Sequence, residues 1–159
     1  MERPEEKTVS DSKIEMRELV IPNDTNLLGN LLGGRVMHFI DIAGAMAASR
    51  HANSVVTTAS IDSVDFHCPI KLGELVLLKA RLTSVGNSSM EVLVEVFSED
   101  YIKGVCTFTN KAYLTFVSLD KNGKPSRVPR LITETENEQL EQEAAIIRRA
   151  ERLKRKNNK

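Results

Sequence analysis

The spacing of hydrophobic residues along the chain predicts an early strand, a buried helix and four longer strands. The early strand begins at Ile14 and Met16 and alternates apolar and polar residues up to Val20. The stretch from Arg35 to about Arg50 has apolar residues on all its faces, and a helix with this pattern is buried. It is too short and too interrupted to cross a membrane.

Four further segments have the composition of strands. They are rich in Val, Thr, Ile and Phe, and they contain stretches of period two such as MEVLVEVF. Because they are longer than most strands, we expect a strongly curved sheet. The predicted strands are Val55–His67, Glu74–Val85, Ser89–Ser98 and Val105–Leu119. A strand, a buried helix and four more strands predict an α+β fold, in which an antiparallel sheet wraps around the helix.

The two ends of the chain are polar. Residues 1–12 are expected to form a loose leader, and they contain no apolar segment typical of a secretory signal. We expect a single domain over residues 1–130 and a charged helical extension over residues 131–159.

The extension predicts a second helix from Glu134 to about Lys156. Its acidic first half and basic second half complement the helix dipole. Leu140, Ala144 and Ile147 form a narrow apolar stripe, which we expect to dock on the domain or on a neighbouring subunit. The alternative is that the basic half contacts a nucleic acid or a phosphate group.

Composition argues against several classes of protein. The chain has 159 residues with 22 Lys and Arg against 22 Asp and Glu, so its net charge is zero. A nucleic-acid-binding protein needs a basic face for the phosphates, so we expect no nucleic-acid partner. No stretch reaches the roughly 18 apolar residues of a membrane span. Cys68 and Cys106 are far apart and lack CxxC spacing, so we expect neither disulfides nor a metal site. The resulting expectation is a cytoplasmic protein.

Asp41 is the residue that suggests chemistry. It lies inside the apolar helix, with no Lys or Arg within one turn. Because burying an unpaired carboxylate is costly, Asp41 must be paired, protonated or exposed at a subunit boundary. A carboxylate that is shielded from water becomes a base that works near neutral pH. The alternative is a structural aspartate, bonded to a loop amide or to His38.

Two glycines stand immediately before the predicted helix. Gly33 and Gly34 allow close approach to the backbone, and the first N–H groups of a helix have no partners within it. Together with the helix dipole, they form a site for an oxyanion. Gly34 and Asp41 are seven residues apart on one face, with a rise of about 10 Å between them. An acyl group fits between them, with water as the nucleophile.

The loop before the glycines contains Asn26, whose side chain can donate and accept hydrogen bonds. It is a candidate for orienting the water or polarising a carbonyl group. The alternative is an asparagine that only forms a turn. His38, His51 and His67 are interpreted as structural residues, with His51 facing the dipole at the end of the helix.

Several motifs follow one another in a fixed order. They are NDTNLLGNLLGGRVMHFIDIAGAMAASRH, TASIDSVDFHCPIKLGE, VGNSSMEVLVEV and NKAYLTFVSLD. In this order they resemble the hotdog-fold acyl-CoA thioesterases, in the subgroup that includes YciA and the brain acyl-CoA hydrolase. The resemblance extends from about Ile14 to Pro129, and a long ordered series is more specific than any one motif.

This resemblance implies a long central helix wrapped by a five- or six-stranded sheet. It implies dimers that join their sheets edge to edge, commonly assembled as hexamers (trimers of dimers). The implied activity is hydrolysis of fatty acyl-CoA to a free fatty acid and coenzyme A, with coenzyme A as part of the substrate and no cofactor. The family's catalytic aspartate matches Asp41 and its catalytic asparagine matches Asn26, and the two are expected to meet across the dimer.

The implied mechanism places the thioester carbonyl against the Gly34 amide. Asp41 then deprotonates an attacking water that Asn26 positions, or Asp41 attacks directly through an anhydride. The pantetheine arm is expected beside strand residues such as Ser88, Ser89 or Asn110, and the phosphates of coenzyme A need nearby Lys or Arg. The predicted contacts to the substrate are Gly33, Gly34, Ser88, Ser89 and Asn110.

The same fold is compatible with two other functions. A hydroxyacyl dehydratase uses a histidine with a carboxylate, but HCPIKLGE follows the helix here instead of preceding it. An acyl-CoA-sensing module binds without turnover and is usually fused to a second domain, for which 159 residues leave no room. Chain-length preference, the choice between dimer and hexamer, the role of the last helix and regulation by nucleotides stay open.

Overall fold

The structure is a computed structural model that describes residues 3–62 and 64–159. Its elements are β1 (Glu6–Thr8), β2 (Ile14–Leu19), a 3-10 turn (Pro22–Asp24), α1 (Gly33–Ala52), β3 (Val55–Ile61), β4 (Leu75–Val85), β5 (Ser89–Asp100), β6 (Val105–Leu119), β7 (Arg130–Ile132) and α2 (Glu136–Asn157). Within these described residues, no helix is both long and apolar enough to cross a membrane.

The main sheet is antiparallel and confirms the predicted α+β fold. Its five strands lie in the order β2-β4-β5-β6-β3, so β2 and β3 are its two edges. The predicted turns separate the strands: Gly73, Gly104 and Gly123 have φ values of 87°, 70° and 75°. Glycine adopts this backbone conformation without the steric cost that other residues incur.

Helix α1 lies in the curve of this sheet and contacts all five strands. Ile40, Ala43 and Ala47 are fully buried on the side that faces the sheet. A Cβ atom at Gly44 would lie 3.0 Å from the ring of Phe116 in β6. Glycine at this position therefore allows the helix and the sheet to approach closely.

The helix differs from its prediction in its limits and in one of its faces. It begins at Gly33, two residues before the predicted start, so both glycines belong to its first turn. It ends where Asn53 adopts a left-handed conformation, with φ of 53°. Ile42 and Met46 are each 37% exposed, so the prediction that the helix is buried on all sides is wrong for the single protomer. This exposed face is on the other side of the helix from Ile40, Ala43 and Ala47, which face the sheet.

Strand β3 is shorter than predicted, because it ends at Ile61 and not at His67. Asp62 still donates its N–H to the carbonyl of Tyr113 in β6. Residue 63 lies outside the described residues, and residues 64–67 have no regular secondary structure. The ring of Phe66 instead covers the start of α1, where a Cβ atom at Gly33 would lie 3.6 Å from it. The aromatic and β-branched composition of the segment predicted a strand, but this loop uses Phe66 to cover the helix.

The prediction of a loose leader is also wrong for residues 3–12, whereas residues 1 and 2 of that segment lie outside the described residues. Strand β1 pairs in parallel with β7, and Glu6 is in register with Arg130. Val9 and Ser12 are almost completely buried, at 1% and 0% exposure. The polar composition of this segment hid the contribution of Val9, which packs in the core.

Helix α2 lies across the face of the sheet opposite α1, since in β5 the residue Val94 faces α1 and Glu91 faces α2. The hydroxyl of Thr135 accepts a hydrogen bond from the Glu138 N–H and caps the start of the helix. Ala145 is the fully buried apolar residue of α2.

The apolar stripe predicted for α2 does not dock on the domain. Leu140 is 57% exposed and Ile147 is 62% exposed, so both point away from the sheet. The helix is instead attached by charged contacts to residues of the sheet. Arg148 stacks on the ring of Tyr113 at 3.7 Å and donates hydrogen bonds to Glu91.

Candidate active site

A hydrogen bond joins the central helix to the edge strand β3. The hydroxyl of Thr58 donates to Oδ1 of Asp41 over 2.7 Å. Asp41 is half-buried, and within the described residues no Lys, Arg or His forms an ion pair with it. Neither of the bonds considered for a structural aspartate, to a loop amide or to His38, is found in that part of the chain. The carboxylate is thus oriented by a neutral donor.

The position of Thr58 depends on an irregularity in β3. Thr58 is in register with Phe116 of β6, but Ser60 is in register with Thr115, so one extra residue is accommodated between them. A bulge of this kind bends the strand and changes where the neighbouring side chains point. Sequence reasoning missed Thr58, because a threonine in a strand is ordinary and nothing in the local pattern marks this one.

Asp41 and Thr58 lie at an open edge of the molecule. Strand β3 pairs with β6 on one side only, and Thr58 is exposed. The exposed face of α1 that begins at Ile42 is apolar, and with Ile14 of the opposite edge strand β2 its residues Ile42 and Met46 line a depression. A carboxylate beside an unpaired strand edge and an apolar surface suits a position at a subunit boundary, one of the three possibilities that the sequence left open.

The first turn of α1 presents free N–H groups. Gly33 and Gly34 are the first two helical residues, and the preceding Leu32 provides no side-chain cap. Their N–H groups have no acceptor within the helix, and the described loops supply none. A Cβ atom at Gly34 would meet no atom within 4 Å, so the space above this residue is open. An oxygen atom can therefore reach these donors.

Asn26 uses only part of its side chain to hold its own loop. Its Oδ1 accepts hydrogen bonds from the N–H groups of Leu28, at 2.9 Å, and Asn30, at 3.1 Å. The turn-forming role considered from the sequence is therefore present. These two bonds orient the side chain and leave its NH₂ group to donate elsewhere.

A cavity of about 350 Å³ brings Asn26, Gly33 and Asn110 together. Asn110 is 5% exposed, and its Oδ1 accepts a hydrogen bond from Thr109. Its Nδ2 is buried and has no partner, which costs free energy unless a ligand or water accepts from it. Asp41 does not line this cavity, so one protomer does not bring Asp41 and Asn26 into the same pocket.

The remaining predicted contacts lie elsewhere. Ser88 is in the turn between β4 and β5, where its carbonyl accepts from the N–H of Ser118, and Ser89 is the first residue of β5. Ser89 lines a different cavity together with residues of α2. The predicted set of substrate contacts is thus divided between two sites of the protomer.

The histidines and possible metal ligands do not form a second centre. The Nε2 of His51 is 2.8 Å from the carbonyl oxygen of Pro129, and burial lowers the pKa of this imidazole. His38 and His67 are exposed. Over residues 3–62 and 64–159, no three His, Cys, Asp or Glu side chains are grouped so that they could hold a metal ion.

The chain is similar to a known protein family and to several known proteins that are described as thioesterases or thioester hydrolases. A family model described as "Thioesterase superfamily" matches residues 28–104. A Bacillus subtilis protein called "uncharacterized acyl-CoA thioester hydrolase YkhA" is 43% identical over 98% of this chain and 91% of its own length. A mouse cytosolic acyl coenzyme A thioester hydrolase is 36% identical over 85% of this chain, which spans only 36% of that longer protein.

Several solved structures that are similar to this chain are also acyl-CoA thioesterases or hydrolases. A hexameric acyl-CoA thioesterase in its apo form has a TM-score of 0.91 and 42% identity, over 95% of this chain and 97% of its own. An acyl-CoA hydrolase from Staphylococcus aureus, solved with butyryl coenzyme A, coenzyme A and coenzyme A disulfide, has a TM-score of 0.85 and 38% identity, over 96% of this chain and 95% of its own. Mutants of that hydrolase with alanine in place of an aspartate, a threonine or an asparagine have TM-scores of 0.86, 0.84 and 0.87.

Proposed function

The chain belongs to the thioesterase superfamily and has the hotdog fold, and from this we propose that it hydrolyses acyl-CoA thioesters to a free acid and coenzyme A. The observation that carries the proposal is the Asp41 carboxylate, which Thr58 holds at an open sheet edge. Relatives named as acyl-CoA thioester hydrolases support the same activity.

The S. aureus mutants support the choice of residues. The asparagine, aspartate and threonine that were replaced in that acyl-CoA hydrolase have the same spacing along its chain as Asn26, Asp41 and Thr58 have here. The three residue types also appear in the same order. We therefore assign these three residues to the reaction.

In the proposed reaction, Asp41 accepts a proton from water while the water oxygen attacks the thioester carbonyl carbon. Thr58 donates to Oδ1, which leaves Oδ2 to face the water. The carbonyl oxygen becomes an oxyanion, and the N–H of Gly34 at the start of α1 stabilises it. The carbon–sulfur bond then breaks, and the departing sulfur takes the proton from Asp41. Direct attack by Asp41, through an anhydride that water cleaves, uses the same residues.

Asn26 of the partner subunit completes the site in this proposal. Because its Oδ1 is engaged by its own loop, Asn26 acts through its NH₂ group, which donates to the thioester carbonyl or to the water oxygen. Two copies joined at the β3 edges bring this group to Asp41. The hexameric assembly named for similar structures supports a trimer of such dimers.

Residues in and beside the two cavities are proposed to contact the substrate. Asn110, with its unpartnered Nδ2, and Gly33 are assigned to the acyl-pantetheine part of the substrate. Ser88 and Ser89 are proposed to lie beside the pantetheine arm, and Ser89 also lines the second cavity. We propose no separate cofactor, no nucleic-acid partner and a cytoplasmic location, which the name of the mouse cytosolic relative supports.

The test is the release of free thiol from acyl-CoAs, from acetyl to palmitoyl, by the purified protein. We expect turnover, and its dependence on chain length will define the acyl pocket. Crotonyl-CoA serves as the comparison, because a hydratase adds water to its double bond without releasing thiol. Tight binding of every acyl-CoA without thiol release, or hydration of crotonyl-CoA alone, would contradict the proposal.

A further inference from the structure

A second cavity, of about 220 Å³, lies between the β4–β5 turn and the basic half of α2. Its floor is formed by the strands, and its wall is formed by the last two turns of the helix. The polar and glycine residues that line it include one carboxylate, and they are Ser84, Gly86, Ser89, Glu91, Thr115, Arg149, Arg152 and Lys156.

The cavity has an excess of positive charge. The buried Glu91 accepts hydrogen bonds from Arg148, at 2.7 Å, and from Arg152, at 3.0 Å, so its charge is already balanced. Arg149 and Lys156 form no ion pair with any carboxylate of the described residues. Two cationic side chains therefore remain available at the wall of the cavity.

Donor groups converge above Gly86. A Cβ atom at this position would lie 2.7 Å from the Ser89 hydroxyl and 2.8 Å from both terminal nitrogens of Arg149. Glycine thus makes the space in which the hydroxyl and the guanidinium group approach each other. The hydroxyl of Thr115, which also lines the cavity, is buried and has no partner.

We propose that this cavity binds a phosphate group. Arg149 and Lys156 supply the charge, and the Ser89 and Thr115 hydroxyls donate hydrogen bonds to the oxygens. Arginine is suited to this role because its planar group makes paired hydrogen bonds to phosphate. Helix α2 is then a part of the ligand site, although it lies outside the region that the family model matches.

The phosphate has two possible sources, a phosphate of coenzyme A in the substrate or a free nucleotide. The first source rests on the proposed function and extends it, since α2 would anchor the nucleotide end of the substrate. The second source would make the cavity a separate site. Both use the same chemistry, and the experiment separates them.

The test uses the double variant Arg149→Ala with Lys156→Ala in the full chain. A matched control replaces Lys154 and Arg155, two exposed cations of the same helix that do not line the cavity, with alanine. Binding of coenzyme A and of ADP is measured by calorimetry, and KM and kcat are measured for butyryl-CoA and for butyryl-pantetheine, which has no nucleotide.

If the phosphate belongs to coenzyme A, the double variant weakens coenzyme A binding and raises KM for butyryl-CoA by about tenfold or more, since hydrogen bonds to charged groups have this strength. The value of kcat, and KM for butyryl-pantetheine, stay as in the wild type. If the source is a free nucleotide, ADP binding falls by the same factor and both KM values stay unchanged. The control variant behaves as the wild type in either case.

Gly86→Ala is a second, independent variant. Its new methyl group displaces Arg149 and should weaken the same ligand as the double variant does. The proposal is overturned if the wild type binds neither ligand, or if the double variant binds both as tightly as the control. Failure of the proposed function is a different result, namely no thiol release from any substrate by the wild type. The calorimetric titrations still show in that case whether the cavity binds coenzyme A or ADP.

Discussion

Thr58 and Asp41 are 17 residues apart in the chain, and their side chains meet in a 2.7 Å hydrogen bond between the edge strand and the central helix. The bond orients a carboxylate without neutralising it. Because the hydroxyl is a neutral donor, this hydrogen bond brings no positive charge to the carboxylate.

Replacement of Asp41 by alanine should lower kcat for acyl-CoA hydrolysis by about 10²- to 10⁴-fold, the usual contribution of a general base. Thiol release measured at saturating substrate gives this value. Glu143→Ala is the matched control, because it removes an exposed carboxylate on α2 that makes no ion pair in the described part of the chain. Near-normal turnover in the Asp41 variant, with the control equally active, would refute the assignment.

Replacement of Thr58 by valine keeps the shape and the strand preference of the side chain but removes the hydroxyl donor. We expect kcat to fall by about tenfold, since a hydrogen bond to a charged group is lost. Thr58→Ser restores the donor and should recover most of the activity. Equal loss in the serine and valine variants would show that packing, and not the hydrogen bond, is what Thr58 contributes.

Mixed dimers test whether the site is shared between subunits. Asp41→Ala and Asn26→Ala homodimers should both be almost inactive. When equal amounts are unfolded and refolded together, half of the dimers are mixed, and each mixed dimer has one intact site. Activity should therefore return to about a quarter of the wild-type value, as the two-fold symmetry of the dimer requires. No recovery, despite proven mixing by mass spectrometry, would place Asn26 and Asp41 in the same subunit.

The contacts that attach α2 to the sheet predict that substitutions on its two sides change the free energy of unfolding by different amounts. Glu91→Ala removes the carboxylate that Arg148 and Arg152 share, although Arg152 keeps Asp62 at 3.6 Å, and we expect a loss of about 2 to 3 kcal/mol in the free energy of unfolding. Leu140→Ala, on the exposed side of the helix, should cost less than about 0.5 kcal/mol in the isolated protomer. Urea unfolding measures both. A larger effect at Leu140 would mean that the outer side of α2 is buried in an assembly.

The predictions that failed have a common physical basis. Helical periodicity predicted that Leu140 and Ile147 dock on the domain or on a neighbouring subunit. Within the protomer they do not, because the sheet presents a buried Glu91 and the ring of Tyr113 to α2, and these bind arginines. The N-terminal segment was interpreted as loose because its pairing partner, β7, lies more than a hundred residues away in the chain. Local patterns do not contain the partner of a distant contact.

The sequence by itself determined the order in which the central helix and the five strands of the main sheet follow one another along the chain. Hydrophobic spacing shows this order because it is set by which side chains must leave water. It also identified Asp41 and the two glycines, since an acidic residue in an apolar helix and glycines at its start are visible without coordinates. Only the tertiary structure decided that Thr58 reaches Asp41, that Asn26 and Asp41 lie apart within one protomer, and that α2 turns its cations toward Gly86. Those relationships depend on a bulge in β3 and on contacts between distant segments, which arise only when the sheet closes around the helix.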